Sequence, residues 1–270
     1  MAFALKTPRR LRAALATGLA VATLLAVVPA ASAAPAPAAA RKSAKPDPLA
    51  PGLSGTERLA ALLERVKLEQ QGLKTMEARF VQHQESSLLV ADEESRGVFS
   101  YAAPDRVRWE YTSPNPISVV IQGEEMTTWY RDLKRADKIK VGRYSSQVFK
   151  YLGASGSLQT LLDYFRVSLT NPAKPGDAYR LRLVPKYQRI SKRFKEMTIW
   201  IDAERFLPSR LRYVEGDGDV TEYEFQDMKI NAALPGDRFV LKLPPGVETR
   251  VLDLERDPKA KATPGRPANP

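Results

Sequence analysis

The chain has 270 residues, 42 Lys and Arg against 31 Asp and Glu, a formal net charge of +11 and no cysteine. That length allows one sizeable domain with tails, or two small ones. Without cysteine there are no disulfides, no thiol nucleophile, no thiolate metal site and no lipid-modified N-terminal cysteine, so stability must come from an ordinary core.

The start of the chain reads as an address. Lys6, Arg9, Arg10 and Arg12 precede an apolar run to Val28, followed by Pro29 and Ala31-Ser32-Ala33. A basic start, an apolar middle and a small-x-small end predict a secretory signal peptide over 1–33. A retained membrane anchor is the alternative, because the run from Ala13 is nearly long enough to span. Cleavage would remove those basic residues and leave about +7. Residues 34–53, rich in Ala, Pro and Lys, read as a flexible leader. Residues 251–270 are polar and Pro-rich and read as a loose tail. The pattern between them, 54–250, is continuous.

That domain opens with a helix. Ser54 and Glu57 have capping-box spacing, and Leu59, Leu62, Leu63, Val66 and Leu73 then recur on one face. Strands follow at Ala78–Gln84, Gly97–Tyr101, Arg106–Thr112, Ile117–Gln122 and Met126–Tyr130. In the third, Val107, Trp109 and Tyr111 alternate with Arg106, Arg108 and Glu110. The alternation predicts one large apolar face and one charged, wet face. The spacing predicts two short helices at Ser145–Leu152 and Ser157–Phe165; in the second, Leu158, Leu161, Leu162 and Phe165 follow the i, i+3, i+4, i+7 rule. Strands resume at Tyr179–Val184, Glu196–Asp202, Ser209–Glu215, Thr221–Met228 and Arg238–Leu243, with a hairpin turn at Glu215–Asp219. About ten strands at short spacing indicate a meandering antiparallel sheet or barrel.

Catalytic patterns are sparse. His83 is the only histidine, lies between Gln82 and Gln84, and has no G-x-S-x-G nucleophile elbow with it. No glycine-rich phosphate loop is present. Asp217-Gly218-Asp219 lacks the later ligands of a calcium loop and reads as a turn. Glu93, Glu94, Glu124 and Glu125 read as solvated strand ends. Nothing points to a cofactor or a metal. One basic block does stand out: Arg180, Arg182, Lys186, Arg189, Lys192, Arg193 and Lys195, with no acid inside it. An exported protein rarely meets nucleic acid, so anionic lipid head groups or an acidic protein are the better partners. Docking is assigned to Arg189, Lys192, Arg193 and Lys195; a solvated hairpin is the alternative.

Several runs coincide in order: "MEARFVQHQ", the strand Gly97–Tyr101, "APDRVRWEY", "VVIQGEEMTTWY", "IDAERFLPSRLRY" and "FVLKLPPGVE". From Thr56 to Glu248 the chain resembles the periplasmic outer-membrane lipoprotein carrier family, LolA. The resemblance implies an α+β, mainly β fold: an incomplete, open antiparallel β-barrel covered by short amphipathic helices, with an apolar cavity inside. It implies a soluble periplasmic chaperone, not an enzyme, that shuttles lipoproteins by holding their acyl chains. Its cavity wall would comprise Phe80, Phe99, Tyr101, Val107, Trp109, Tyr111, Val119 and Ile121, and its lid Leu158, Leu161, Leu162 and Phe165. Partners would be acylated lipoproteins, an inner-membrane ABC-type lipoprotein releasing complex and an outer-membrane acceptor lipoprotein; a monomer is expected. One position departs. The family commonly has arginine directly before the proline, where it bonds the helical lid; here that residue is Ala103. A periplasmic sensor of stray lipid or lipoprotein on the same fold is the runner-up. A lipid hydrolase is disfavoured by the missing nucleophile motif.

Overall fold

A computed structural model of the chain describes residues 45–86, 92–140, 161–192 and 194–252. The expected signal peptide, the helix Ser145–Leu152, Leu158 and Arg193 lie outside the described residues.

Helix α1 spans Gly55–Gln71. Its start is fixed by the anticipated box: the Glu57 N–H donates to Ser54 Oγ (3.3 Å) and the Ser54 N–H to Glu57 Oε2 (2.9 Å). Two of the helix's unsatisfied N-terminal donors thereby find acceptors. Leu62, Leu63 and Val66 are buried, each contributing roughly 1.5–3 kcal/mol. The helix stops at Gly72, and Leu73, also buried, donates its N–H to the Gln70 carbonyl.

Among the described residues twelve strands follow: β1 Thr75–Glu85, β2 Glu93–Ala102, β3 Arg106–Ser113, β4 Ile117–Gln122, β5 Glu125–Tyr130, β6 Arg135–Lys140, β7 Phe165–Thr170, β8 Tyr179–Pro185, β9 Phe194–Ile201, β10 Pro208–Glu215, β11 Val220–Ile230 and β12 Glu248–Leu252. Two one-turn helices, α2 Leu161–Tyr164 and α3 Gln188–Ser191, precede β7 and β9. The strands form one sheet in the order β12-β6-β5-β4-β3-β2-β1-β11-β10-β9-β8-β7. Its two ends do not pair, so the sheet is open, as the mainly β reading anticipated. β12 runs parallel to β6, with Glu248 opposite Arg135 and Arg250 opposite Asp137. This strand carries the ordered domain two residues into the stretch read as tail.

Three strands were not anticipated: β6, β7 and β12. The expected helix Ser157–Phe165 is described only as α2, and Phe165 opens β7 opposite Pro185. The expected strand Arg238–Leu243 is not one. Its backbone turns, with the Arg238 N–H on the Pro235 carbonyl (3.0 Å) and the Val240 N–H on the Asp237 carbonyl (2.9 Å). The hairpin at Glu215–Asp219 forms as read: the Glu215 N–H meets the Asp219 carbonyl at 2.8 Å. Gly218 supplies a φ of 107°, which a side chain would resist.

The described residues fall into two compact units. One contains α1 and β7 to β10, with Phe194 edge-on to Tyr213 at 5.5 Å and the Arg65 guanidinium 4.2 Å over the Phe206 ring. The other contains β3 to β6, β12 and residues 226–247, together with most of β2 and the first half of β1. The candidate site lies wholly in this second unit.

Candidate ligand-binding face

Register places the expected wall residues on one face of the second unit. Phe99 is opposite Trp109, and Trp109 opposite Val119. Tyr101 is opposite Val107, and Val107 opposite Ile121. Phe80 joins them from β1, edge-on to Trp109 and to Tyr111, at 4.9 Å in each case. Phe99 lies 4.7 Å from Trp109. All eight predicted side chains therefore share a face. Most are nearly sealed, with Phe80, Phe99 and Tyr101 only 1% exposed. Trp109 and Val119 are half-buried.

Gly97 makes this cluster possible. A Cβ there would lie 2.7 Å from two Phe80 ring carbons and 2.1 Å from the Glu110 carbonyl oxygen. Phe80 occupies the space that any side chain at 97 would need.

The opposite face corrects the expectation of a wet, charged surface. Arg106, Arg108 and Glu110 are all half-buried, and Ser118, beside them, is fully buried. Glu110 Oε2 accepts from Arg108 Nη2 (2.6 Å) and Ser118 Oγ (2.8 Å), and Arg131 pairs with Oε1. Burial opposes ionisation of Glu110, but these hydrogen bonds outweigh it and hold its carboxyl below the usual range. The turn at 237–240 covers part of the face. Arg108 Nη1 donates to the Arg238 carbonyl (3.1 Å), Arg238 Nη2 to Glu77 (2.6 Å), and Arg106 lies 5.2 Å over the buried Phe239 ring. The charged residues of β3 are thus fasteners for a distant segment of chain. Nothing local to β3 signals this, because the partner lies 130 residues away.

A polar group that sequence reasoning missed lies at the other end of the apolar face. Thr128 is opposite Val119, and Asp137 is opposite Thr128. Tyr130 and Arg135 form the adjacent pair. Thr128 and Tyr130 are 1% exposed and Asp137 7%. Arg135 Nη2 lies 3.2 Å from Asp137 Oδ2, and its guanidinium stacks 4.7 Å over the Tyr130 ring. Burial raises the Asp137 carboxyl and the Tyr130 hydroxyl above their ordinary values. Continuing the two-residue alternation through the β4–β5 and β5–β6 hairpins would have put these residues on the apolar face.

The other predicted residues lie in the first unit. Leu162 is half-buried on α2, where its carbonyl accepts from Lys186 Nζ at 2.5 Å; Leu161 is on the same turn, and Phe165 is 1% exposed in β7. The basic block does not form one uniform patch. Arg180 and Arg182 project from β8, and Arg182 pairs with Glu196 of β9 at 2.6 Å, an acid that register supplies and the sequence block lacks. Arg189 is on α3; Lys192 and Lys195 are exposed beyond it. His83 is exposed on β1, 3.6 Å from Glu94. Ala103 follows β2, its N–H donating to the Lys74 carbonyl (2.8 Å). Among the described residues no helix is long and apolar enough to cross a membrane.

Residues 71–242 match the family described as outer membrane lipoprotein carrier protein LolA. The outer-membrane lipoprotein carrier protein of Alkalilimnicola ehrlichii is 26% identical over 180 residues, which is 64% of this chain and 76% of that protein. That of Chromobacterium violaceum is 26% identical over 201 residues, 74% of this chain and 92% of that protein. Among solved structures, an uncharacterized conserved protein from Thermus thermophilus aligns with a TM-score of 0.49 at 13% identity, over 72% of this chain and 99% of that one.

Proposed function

The chain belongs to the LolA family of outer membrane lipoprotein carrier proteins, and on that premise we propose that it is a periplasmic carrier that takes up the acyl chains of lipoproteins. Residues 1–33 serve as the export signal, 34–53 as a leader and 54–250 as the carrier domain. The supporting observation is the single apolar face on β1 to β4, where eight large side chains share one register and Trp109 and Val119 keep part of their surface open. That face is the acyl seat. It binds and does no chemistry; loading is driven by an inner-membrane ABC-type complex, and unloading goes to an outer-membrane acceptor lipoprotein.

Burying one methylene contributes about 0.8 kcal/mol, so a chain of some fourteen resists exposure to water by about 11 kcal/mol gross and must pass from one apolar environment to another. The carrier therefore needs no catalytic group, but it does need an external energy source at loading.

The test is release of a triacylated lipoprotein from inner-membrane proteoliposomes that contain the ABC complex and ATP. The chain should bring the acylated protein into the supernatant as a one-to-one complex, and should form no complex with an unacylated variant whose N-terminal cysteine is replaced by serine. Trp109→Glu should remove that activity while circular dichroism stays strand-rich. Equal binding of the unacylated form, or no release at all, would overturn the proposal.

A further inference from the structure

Across β2 to β6 one row of side chains changes character. It runs Phe99, Trp109, Val119, Thr128, Asp137, each opposite the next. At about 4.8 Å per strand the row extends about 19 Å, apolar over its first three members and polar over its last two. Thr128 and Asp137 are 1% and 7% exposed, and among the described residues no group hydrogen-bonds Thr128 Oγ1 or Asp137 Oδ1. Buried polar atoms without a partner are costly, so native proteins rarely leave them so. Here two adjoin on one row, directly beyond the apolar wall, and Tyr130 Oη and Arg135 Nε in the neighbouring pair are also without a hydrogen-bond partner among the described residues.

We infer that the β5–β6 end of this face seats the polar end of an acyl ligand, and that Thr128 Oγ1 and Asp137 Oδ1 accept hydrogen bonds from a neutral donor there, the N–H of an acyl amide. This rests on the proposed acyl-binding role of the same face. The charge count selects a neutral group. Arg135 is committed to Asp137 at 3.2 Å, and Arg250, opposite Asp137 on β12, donates to Glu248 at 2.8 Å. Two cations and two anions balance locally. An anionic head would meet Asp137, and a cationic one would meet Arg135. A donor without charge meets neither, and it satisfies two acceptors that the fold leaves open. Specificity then follows from polar matching, since an analogue lacking the donor leaves both acceptors buried and unpaired.

The probes are dodecanamide and methyl dodecanoate, which share a chain and differ in donor capacity. Each is titrated against the full chain carrying a fluorescent fatty-acyl probe. The amide should displace the probe about three- to tenfold better than the ester, the range of one or two modest hydrogen bonds. Thr128→Val removes a hydroxyl that no described residue hydrogen-bonds, and it should shrink that ratio at least twofold. Asp137→Asn alters the second acceptor and should shrink it too. If amide and ester compete equally, or if Thr128→Val leaves the ratio unchanged, the polar end belongs to water and the inference fails while acyl binding stands. If neither ligand displaces the probe and the probe itself does not bind, the acyl-binding role fails and this inference with it.

Discussion

Gly97→Ala is the sharpest single test of how the apolar face is built. A methyl at 97 would sit 2.1 Å from the Glu110 carbonyl and 2.7 Å from two Phe80 ring carbons. The ring can rotate away, but only by giving up its edge contacts with Trp109 and Tyr111 at 4.9 Å. The carbonyl belongs to β3, and moving it means parting β2 from β3 where Gly97 pairs with Tyr111. Overpacking in a close-packed interior costs typically 1–3 kcal/mol, and a backbone clash belongs at the upper end. At about 2–4 °C per kcal/mol for a domain of this size, roughly 3 kcal/mol lowers the melting temperature by about 6–12 °C. Calorimetry on Gly97→Ala, Phe80→Ala and the double variant separates the two clashes. Removing the Phe80 ring should relieve the ring part of the penalty, so that the double variant is more stable than additivity predicts. The carbonyl part should persist, leaving the double variant less stable than Phe80→Ala. A Gly97→Ala melting temperature within about 2 °C of the parent, below the smallest shift expected, would refute this account of the face.

Two predictions concern titration. Glu110 is held below its ordinary pKa of 4.5, so its stabilisation is complete above that value and is lost as pH falls through the folded pKa. Glu110→Gln should lose about 1.5–3 kcal/mol at pH 7 and flatten the acid limb of a melting-temperature profile; an unchanged limb would mean that Arg108, Ser118 and Arg131 do not act through that carboxylate. Glu215 goes the other way: burial first, then Asp217 and Asp219, raise it to about 7. A raised carboxyl favours the fold while protonated, so the parent should lose stability as pH rises from about 4.5 to 7, and Glu215→Gln should not. The variant's advantage should be near zero at about pH 4 and reach roughly 2 kcal/mol at about pH 8, discounted for partial exposure; no divergence between the curves would sink this reading.

The sequence was legible where structure is local and periodic. Ser54 and Glu57 marked the start of α1, and of the apolar face that follows them Leu62, Leu63 and Val66 are buried. The shared apolar face was legible because a two-residue period needs no partner strand to reveal it. Of the missed strands, β7 does alternate, Phe165, Val167 and Leu169 against Arg166, Ser168 and Thr170, but its first residue was read as the end of a helix; β6 and β12 lack the signal. In β6 the adjacent residues Ala136 and Asp137 are both buried, and β12 alternates charges instead of apolar groups. The opposite error came from Phe239, Leu241 and Leu243, whose spacing mimics a strand. Between Pro235 and Pro244 the chain turns instead, and only Phe239 is buried, beneath Arg106. The polar end of the face was hidden for a different reason. Thr128 and Asp137 carry no signal alone, and their meaning comes from standing opposite Val119 across two hairpins.

The burial of the wall bears on how a carrier of this kind lets go. Hydrophobic driving force scales with apolar area taken from water, and both partners contribute. Here the wall's contribution is already largely realised without a guest. Phe80 and Phe99 pack against Trp109, Tyr111 packs against Phe80, and among the eight side chains only Trp109 and Val119 retain appreciable exposure. In the proposed role, an arriving acyl chain would thus gain mostly from hiding its own surface, a gain that any membrane or acceptor cavity can match. A wall of exposed aliphatic side chains would add its own area to the balance and hold the chain more tightly than hand-off permits. The interlocked aromatic face instead keeps the exchange close to neutral. In that proposed role the direction of transfer would be set by the energised complex at loading and by the acceptor at release, and affinity at this face would need only to prevent loss in between.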